Sequence, residues 1–470
     1  MNRDTAPAAA AVDPSLPMSD AGVAGVDAAA RLDRLPVSRF HYRMLFLIAG
    51  GLFFDQFDIQ MAAGVASALL KEGISTLELN ALFFSATFVG LFIGAVVSGI
   101  VGDRFGRRLM YRVNLAVVGL ATVACALAPS MEWLIIFRLI AGIGLGAEGA
   151  TSFAALAEFV PPHSRGKWVT GASMLGTTAI IFASLLNYYL LPLGHWRAMF
   201  WIAGIGALVF WVLRFSLPES PRWLQSKGRD AEAERVLAAI EREASGGRPL
   251  PPPVASPPQV HRSESIRVLF SKNVRHRTVI ACLVNLTVTF AGFGFIAWLP
   301  TMFMKQGQSM DSALALSTVI VIGGPLGSLC AVLISDRVGR RRAVVVISLL
   351  TAVFGSAFAL VTASPWVAIF GFFLIAHIYM LAVLSTAGYV PELFPTEYRL
   401  RGAAMGSAVG RIAAVVAPYI ILFLFNYGGL PAVVAGLVSV MIFQAFIIFI
   451  WGIETKGLSL EEIARRAAAH

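Results

Sequence analysis

Two carboxylates lie three residues apart inside one apolar segment. The stretch AGGLFFDQFDIQMAAGV, residues 49–65, has apolar residues on both sides of Asp55 and Asp58. A carboxylate in hydrocarbon costs about 2.5–3.5 kcal/mol on insertion scales, and ionisable residues in such segments favour a functional role. Desolvation favours the protonated form of an acid, whereas a nearby arginine favours the ionised form. The pair therefore predicts a site that binds and releases a proton or handles substrate, with Asp55 also a candidate substrate contact.

An arginine in another apolar segment is the candidate partner of these acids. At about 1.5 Å rise per residue, Asp55 lies roughly 17 Å and Asp58 roughly 21 Å into a bilayer core about 30 Å thick. Arg138 lies roughly 21 Å from the same surface, so we predict an ion pair with Asp58. Two acids beside one arginine cannot be equally satisfied. Either acid could carry the proton, and both could instead only fix helix packing.

A second arginine, Arg411, lies roughly 14 Å into a later apolar segment, close to the midplane. No permanent partner for it is evident in the second half of the sequence. A guanidinium binds a carboxylate through two parallel hydrogen bonds, so Arg411 predicts contact with an anionic substrate. The alternative is an arginine that only stabilises helix packing.

Weaker candidates surround these charges. His377 and Tyr379 lie near the middle of one apolar segment, and Asn285 and Phe293 recur at helical spacing in another. Imidazole, phenol, amide and aromatic groups would suit a planar ligand, although plain packing explains them equally well. Glu148 follows the glycine-rich stretch GIGLGA and could be a gate residue or a second proton site.

The composition places these residues in a membrane protein. The chain of 470 residues is 57% hydrophobic and 14% charged, against about 25% charged in soluble proteins. A spanning helix needs roughly 20 apolar residues. The predicted spans are 44–70, 80–101, 109–128, 132–152, 168–191, 196–217, 276–303, 312–335, 343–362, 366–388, 402–425 and 430–452.

The net charge of +10 follows the topology of these spans. Of the 37 Lys and Arg residues, 23 lie in the loops after every second span, and only Lys71, Arg197 and Lys305 lie in the loops on the other side. Positive residues favour the cytoplasmic face. We therefore expect both termini in the cytoplasm, a monomer in the bacterial inner membrane, and no nucleic-acid partner.

Composition also divides the chain into domains. We predict a disordered tail at 1–40, six-helix units at 41–217 and 275–453, a cytoplasmic linker at 218–274 and a tail at 454–470. The linker contains the flexible stretch GGRPLPPPVASPP and DAEAERVLAAIERE, which predicts a short surface helix. Three cysteines in separate spans predict neither a disulfide framework nor a metal site.

The two halves repeat. GDRFGRR at 102–108 matches SDRVGRR at 335–341, and EFVPPHSRG from Glu158 matches ELFPTEYRLRG from Glu392, at offsets of 233 and 234. Such duplication is typical of secondary transporters. We expect Asp103 either to cap the start of the third span or to pair across the halves with the basic loops. The other charged residues of these loops should join that network and control turnover without affecting substrate choice. The predicted gating residues are Asp103, Arg107, Glu158, Arg165, Asp336, Arg340, Glu392 and Arg399.

These loops, with RLIAGIGLG in the fourth span, resemble the major facilitator superfamily over residues 40–455. The resemblance implies an all-α membrane protein of twelve helices, in two pseudo-symmetric six-helix bundles around a central cavity. It also implies that the first and fourth spans line the cavity and that Arg138, Gly142 and Gly144 form a motif linked to coupling.

Shorter motifs point to branches of the superfamily. PESPRWL at 218–224 and PELFPTE at 391–397 resemble the sugar-porter and organic-ion branches. DQFD resembles the D-x-x-D signature of aromatic-acid/proton symporters, with Gln56 where that family usually has Gly. GAE at 146–148 and GRIAAVVAP at 410–418 resemble metabolite symporters and organic-anion carriers.

The resulting interpretation is a proton-coupled importer of a small organic anion. A sugar or polyol symporter is the alternative, although the paired glutamines typical of sugar porters are missing from the seventh span, and export of a drug-like compound is another. The proton gradient supplies the energy, and no cofactor is expected. The loops lack the cluster of catalytic residues that a membrane enzyme needs, and the longest soluble segment is too short for a sensor domain.

Overall fold

The computed structural model describes residues 27–161, 164–253, 266–272, 274–334, 338–394 and 398–454. Within these ranges, the side chains of Ile100, Asp103, Ala150, Ile266, Ala387, Arg399 and Leu400 are not described. The described chain is almost entirely helical, as its long apolar segments predict. Only helices satisfy the backbone within one segment in the absence of water.

The first six predicted spans form one bundle. The helices are α2 (Arg39–Lys71), α3 (Leu77–Phe105), α4 (Arg107–Ala126), α5 (Met131–Phe159), α6 (Arg165–Thr177) with α7 (Ala179–Leu190), and α8 (Trp196–Leu213). In this bundle α5 packs between α3 and α4, and α2 packs against α6, α7 and α8. These packings place the acids of α2 in the bundle interior.

The second bundle follows the linker. Its helices are α11 (Arg275–Thr289), α12 (Leu299–Lys305), α13 (Met310–Ile334), α14 (Arg340–Leu360), α15 (Ser364–Ala382), α16 (Val390–Glu392) and α17 (Arg399–Trp451). Two π-helical turns, Phe290–Phe295 and Val383–Tyr389, continue α11 and α15. Such turns are rare and often lie at functional sites.

The described part of the chain contains eleven continuous helical segments long and apolar enough to cross a membrane. The longest, α17, contains the last two predicted spans, which separate at Gly428 and Gly429. Gly429 has φ of 65° and ψ of −156°, a region that essentially only glycine occupies. The structure therefore contains all twelve predicted spans.

Gly429→Ala should consequently destabilise the protein. A side chain in this backbone region costs about 1–3 kcal/mol, and thermal unfolding of the purified protein in detergent measures the loss. Gly171→Ala is the matched control, because Gly171 lies within α6 and a Cβ there would meet nothing within 4 Å. Equal melting temperatures for both variants would contradict the requirement for glycine at this turn.

The described parts of the linker and the two ends of the described chain lie on one face of the twelve-span bundle, which we call the linker side; the other face is the distal side. The surface helix predicted in the linker is confirmed as α10 (Asp230–Ser245), preceded by α9 (Pro221–Ser226). Each bundle places a carboxylate against the glycine of its repeated loop, Glu219 at Gly106 and Glu454 at Gly339. Glu219 accepts hydrogen bonds from the backbone N–H groups of Arg107 and Arg108 at the start of α4.

The predicted disorder of residues 1–40 is wrong for the part that the structure describes. Residues Ala28–Asp33 form the helix α1, which packs against α10. Arg31 and Arg34 both bind Glu241, at 2.7 and 2.6 Å. The hydrogen bonds from Arg31, with those from Arg34, hold the pKa of the Glu241 carboxyl below its usual range. Residues 1–26 and 455–470 lie outside the described residues.

The two bundles touch in the distal half and near the midplane. Thr318 of α13 donates to the carbonyl oxygen of Ser184 in α7 at 3.1 Å, and the Phe84 ring packs edge-on to Trp298. Nearer the midplane, Ser85 of α3 donates to the carbonyl oxygen of Val415 at 3.0 Å. These contacts bring the bundles together above a central cavity.

Candidate functional site

The predicted ion pair between Asp58 and Arg138 is confirmed. Nη1 of Arg138 lies 2.5 Å from Oδ2 of Asp58, and both side chains are 1% exposed. Thr122 of α4 donates to Oδ1 of Asp58 at 3.2 Å, and Nε of Arg138 donates to Thr87 of α3 at 3.1 Å. Four helices thus hold one neutral pair. Its role in coupling remains a prediction.

Asp55 lies one turn from Asp58 and differs from it in having no partner. The residue is 4% exposed, and neither carboxyl oxygen has a hydrogen-bond partner. The charged groups within interaction range are Asp58, Glu148 and Arg214. The two acids of the DQFD stretch therefore occupy different environments, which the sequence left open.

Glu148 belongs to a second buried ion pair that the sequence analysis missed. Nη1 of Arg214 lies 2.5 Å from Oε1 of Glu148, and both side chains are completely buried. Arg214 also donates to the carbonyl oxygens of Leu47 and Ile48 in α2, and Ser152 donates to Glu148. The sequence contained a signal for this pair, because Glu148 and Arg214 both lie near the linker-side ends of their spans and hence at similar depth in the membrane.

A glycine makes room for this second pair. A Cβ on Gly51 of α2 would lie 2.0 Å from Nη2 of Arg214 and 3.1 Å from Oε1 of Glu148. Because real Cβ atoms do not approach so closely, the guanidinium lies directly on the α2 backbone. Gly51 is one helical turn from Asp55, on the same face of the helix.

A central cavity of about 400 Å³ lies between the bundles. Both bundles contribute polar groups, aromatic rings and small apolar residues to its wall. The polar and aromatic lining residues are Gln56, Gln60, Phe84, Thr87, Phe88, Arg138, Thr177, Asn285, Thr289, Phe293, Ser328, Tyr379, Thr386 and Ser407. Arg138 is the one charged residue among the lining side chains that the structure describes.

Three of the predicted substrate contacts line this cavity. Asn285 lies there, with its amide donating to the carbonyl oxygen of Ala281 at 2.9 Å. Phe293 lies in the first π-turn with its ring edge-on to Phe88, and Tyr379 comes from α15. Their contact with a substrate remains a prediction, as does that of Asp55, which does not reach the lining.

His377 is not brought to the cavity. Its ring stacks on Phe354 of α14 at 4.9 Å between centroids, and Nδ1 lies 2.6 Å from the carbonyl oxygen of Phe373. A residue two positions from Tyr379 is rotated by roughly 200° on a helix with 3.6 residues per turn. The predicted substrate contact of His377 is therefore not supported by its position.

Arg411 lies at the interface of the bundles, beyond the cavity lining. Nη1 donates to the carbonyl oxygen of Leu91 in α3 at 2.7 Å. Ser407, one turn earlier on α17, does line the cavity. Among the described residues no carboxylate pairs with Arg411, as the sequence analysis expected, but its observed hydrogen bond is to backbone.

Sequence reasoning missed two amides opposite the acids of α2. Gln56 and Gln60 lie four residues apart and both line the cavity. Residues four apart share one face of a helix, so their spacing was an available signal. The D-x-x-D resemblance drew attention to the acids, which lie on the packed face of α2, and away from the amides on the cavity face.

The described ion pairs of the inner loops lie within single bundles. Arg107 binds Glu158 at 3.4 Å and Arg340 binds Glu392 at 3.3 Å. Arg165 lies 3.8 Å from Asp33, next to the N-terminal helix. These pairs differ from the pairing across halves that we predicted. The side chains of Asp103 and Arg399, and the whole of Asp336, lie outside the described residues.

Comparison with known proteins assigns this arrangement to a family. The sequence family described as sugar (and other) transporter matches residues 45–467. The chain is 36% identical over 441 residues to the inner membrane metabolite transport protein YdjE of Escherichia coli strain K12, covering 93% of this chain and 98% of that protein. It is 30% identical to the niacin transporter NiaP of Acinetobacter baylyi, covering 93% and 100%.

A solved structure has the same fold. The inward open conformation of the xylose transporter XylE from E. coli superposes with a TM-score of 0.71 at 18% identity, covering 91% of this chain and 99% of that one. The cavity between two six-helix bundles, the paired loop motifs and the family match agree. The chain therefore belongs to the sugar (and other) transporter family of the major facilitator superfamily, a family of membrane transporters and not of enzymes.

Proposed function

We propose that this transporter imports a small aromatic carboxylate together with a proton. The observation that carries the proposal is the position of Arg138, the one charged side chain among the described residues of the cavity wall. Niacin, named for one relative, is a planar aromatic carboxylic acid. That relative supports the substrate class without identifying the substrate.

The cavity suits such a molecule in size and chemistry. Its volume of about 400 Å³ lies within the roughly 300–1,000 Å³ of ligand pockets. Phe84, Phe88 and Phe293 offer ring faces and edges to a planar ligand, and Asn285 offers an amide near them. The sequence analysis predicted the amide and the aromatic ring on one face of α11, and the structure adds the Phe84 and Phe88 rings of α3.

Arg138 has a hydrogen-bonding group available for an anion. Nη1 is used by Asp58 and Nε by Thr87, whereas Nη2 has no hydrogen-bond partner among the described residues. An anion bound there would add negative charge to a pair that is already neutral. A proton taken up with the anion restores neutrality, which is the physical basis for coupling the two.

A sugar or polyol is the second candidate, and one observation favours it. Gln56 and Gln60 face the cavity from α2, opposite Asn285 of α11. Amides both donate and accept hydrogen bonds, so they suit hydroxyl groups. A neutral substrate would leave Arg138 as a purely internal partner of Asp58.

The orientation follows from charge. The linker side carries most of the Lys and Arg residues, so we place it in the cytoplasm, with the protein in the bacterial inner membrane. In this orientation the bundle contacts between Ser184 and Thr318 lie toward the periplasm. Import then proceeds from the distal side to the linker side.

An uptake screen in proteoliposomes tests the function. The panel contains aromatic carboxylates, their carboxamides, aliphatic carboxylates and sugars, each with and without an imposed pH gradient. We expect accumulation of an aromatic carboxylate that depends on an acidic outer compartment. Accumulation of a sugar and of no carboxylate would select the second candidate, and gradient-independent equilibration of the acid would reject proton coupling.

Arg411 provides a prediction about anion recognition. Because its guanidinium lies beyond the cavity lining, Arg411→Ala should weaken binding of a transported acid and of its carboxamide by the same factor. Titration calorimetry of the purified variant measures both affinities. A direct contact would instead weaken only the acid, by about 1.5–3 kcal/mol for a charge-assisted hydrogen bond, or roughly ten- to a hundred-fold. That selective loss would restore Arg411 as the anion-binding residue.

A further inference from the structure

Five buried ionisable groups form one cluster beside the cavity. Asp58 with Arg138 and Glu148 with Arg214 are the two ion pairs already described, and Asp55 is the fifth member. All five side chains are at most 4% exposed. The cluster thus contains three carboxyl groups and only two guanidinium groups.

This imbalance indicates where a proton is held. Each guanidinium is 2.5 Å from a carboxylate other than Asp55, and both oxygens of Asp55 lack any hydrogen-bond donor. An ionised carboxylate that is buried without a partner is strongly unfavourable. The cluster is neutral when one of its carboxyl groups is protonated, and Asp55 is the one that no guanidinium binds.

No other charge in the described surroundings changes this count. The helices packed on α2 include α3, α4, α5, α6, α8 and α12, whose remaining charged residues lie in their first or last two turns, and α7, which has none. The charged helix α10 packs only at the linker-side start of α2, where Glu243 binds Arg43. Asp58, Glu148 and Arg214 are therefore the groups that can act on Asp55.

The geometry also supplies the group that would remove the proton. The guanidinium of Arg214 lies directly against Gly51, one turn from Asp55 on the same face of α2. The second carboxyl oxygen of Glu148, Oε2, is buried without a hydrogen-bond partner. Arg214 thus neutralises Glu148 and lies one helical turn from Asp55, which it does not bind.

We propose that Asp55 carries the transported proton and that the proton moves on to Glu148 when Arg214 changes its partner from Glu148 to Asp55. Asp55 loses its O–H proton and becomes the carboxylate bound by Arg214, while Glu148 loses the guanidinium and gains that proton. One O–H bond breaks, one forms, and the net charge of the cluster is unchanged. The proposal specifies the proton path of the proposed symport and rests on it.

The exchange has a direction. Glu148 contacts α2 at the level of Gly51, which is four residues nearer the linker side than Asp55. At 1.5 Å per residue, the proton moves by about 6 Å toward the linker side. Gly51 is therefore a positioning residue, because only a residue without a side chain lets the guanidinium lie against the α2 backbone one turn from Asp55.

The test compares two transport assays on the same variants in proteoliposomes. Asp55→Asn and Glu148→Gln should each abolish accumulation driven by a pH gradient. With one proton transported per substrate, a gradient of one pH unit supports about a tenfold excess of internal over external substrate. Exchange of internal for external substrate needs no net proton movement and should persist in Asp55→Asn, since the amide imitates the acid. Asp311→Asn, an exposed acid in the first turn of α13, is the matched control and should retain both activities.

Infrared spectroscopy of the purified protein gives a readout that does not depend on transport. The wild type should show a carboxylic acid carbonyl band at neutral pH that is absent from Asp55→Asn and present in Asp311→Asn. Gly51→Ala should retain this band but lose gradient-driven accumulation, because it displaces Arg214. The proposal is overturned if Asp55→Asn still accumulates substrate or if the band persists in it. If wild type itself shows no proton-driven accumulation but the band behaves as expected, the proposed symport fails while the protonated Asp55 stands.

Discussion

Arg138→Gln should abolish gradient-driven uptake, since it removes the partner of Asp58 and the one charged group of the described cavity wall. Breaking a buried pair by removing one partner costs about 3–5 kcal/mol, and the same change deletes the proposed anion contact. Initial uptake rates in proteoliposomes should fall at least a hundred-fold, which corresponds to about 2.7 kcal/mol. Binding of a transported acid should fall with them.

Three variants separate these two effects. Asp58→Asn leaves the guanidinium in place, so it should keep affinity for the acid better than Arg138→Gln does. Arg138→Lys keeps the charge but loses the planar fork that reaches Thr87 and Asp58 together, so it should recover only part of the activity. Exchange of the two residues, Asp58→Arg with Arg138→Asp, should recover stability more than transport. Normal uptake by Arg138→Gln would contradict both assigned roles.

Loss of the second buried pair should have the largest effect on stability. Arg214→Met leaves Glu148 buried without a cation and removes two hydrogen bonds to the α2 backbone. We expect a loss of about 3–5 kcal/mol, visible as a large fall in the melting temperature of the purified protein.

A matched control for this prediction lies on the surface. Arg229→Met breaks the pair of Arg229 with Glu232, whose side chains are 46% and 44% exposed, and exposed pairs contribute only about 0–1 kcal/mol. Replacing both buried partners, Glu148→Leu with Arg214→Met, should recover much of the loss, since apolar substitutes for a buried pair are often neutral. Equal melting temperatures for the Arg214 and Arg229 variants would count against a stabilising role of the buried pair.

The central ion pair could be predicted from the depth of its residues in the membrane, because an α-helix has a fixed rise per residue. Asp58 and Arg138 occupy the same depth in adjacent helices, and the structure joins them. The same counting could have joined Glu148 with Arg214. It did not, because Arg214 lies in a short 3₁₀ turn at the end of α8, where a basic residue resembles an ordinary interfacial anchor.

Rotation about the helix axis was harder to predict than depth. In spans that are apolar all round, periodicity does not reveal which face meets the cavity. His377 and Tyr379 were therefore chosen together, yet one stacks on Phe354 and the other lines the cavity. The π-turns at Phe290–Phe295 and Val383–Tyr389 add an irregularity that no sequence pattern indicated.

Contacts between distant segments were beyond prediction for a different reason. The segment 27–35 is short and rich in charged residues and alanine, which is typical of a disordered tail. Their order depends on acids about 200 positions later, in α10, where Glu241 binds both Arg31 and Arg34. Similarly, the position of Arg411 depends on how closely the two bundles approach each other.

The attachment of α1 and α10 to the first bundle makes the linker a natural place for a distance reporter. Glu243 of α10 binds Arg43 at the start of α2, and Asp33 of α1 binds Arg222 of α9. A fluorophore on an exposed position of α10 should therefore move with the first bundle as one body. Paired with a second fluorophore at the linker-side start of α14, it would record how far the bundles rock apart during each cycle, without a label near the cavity.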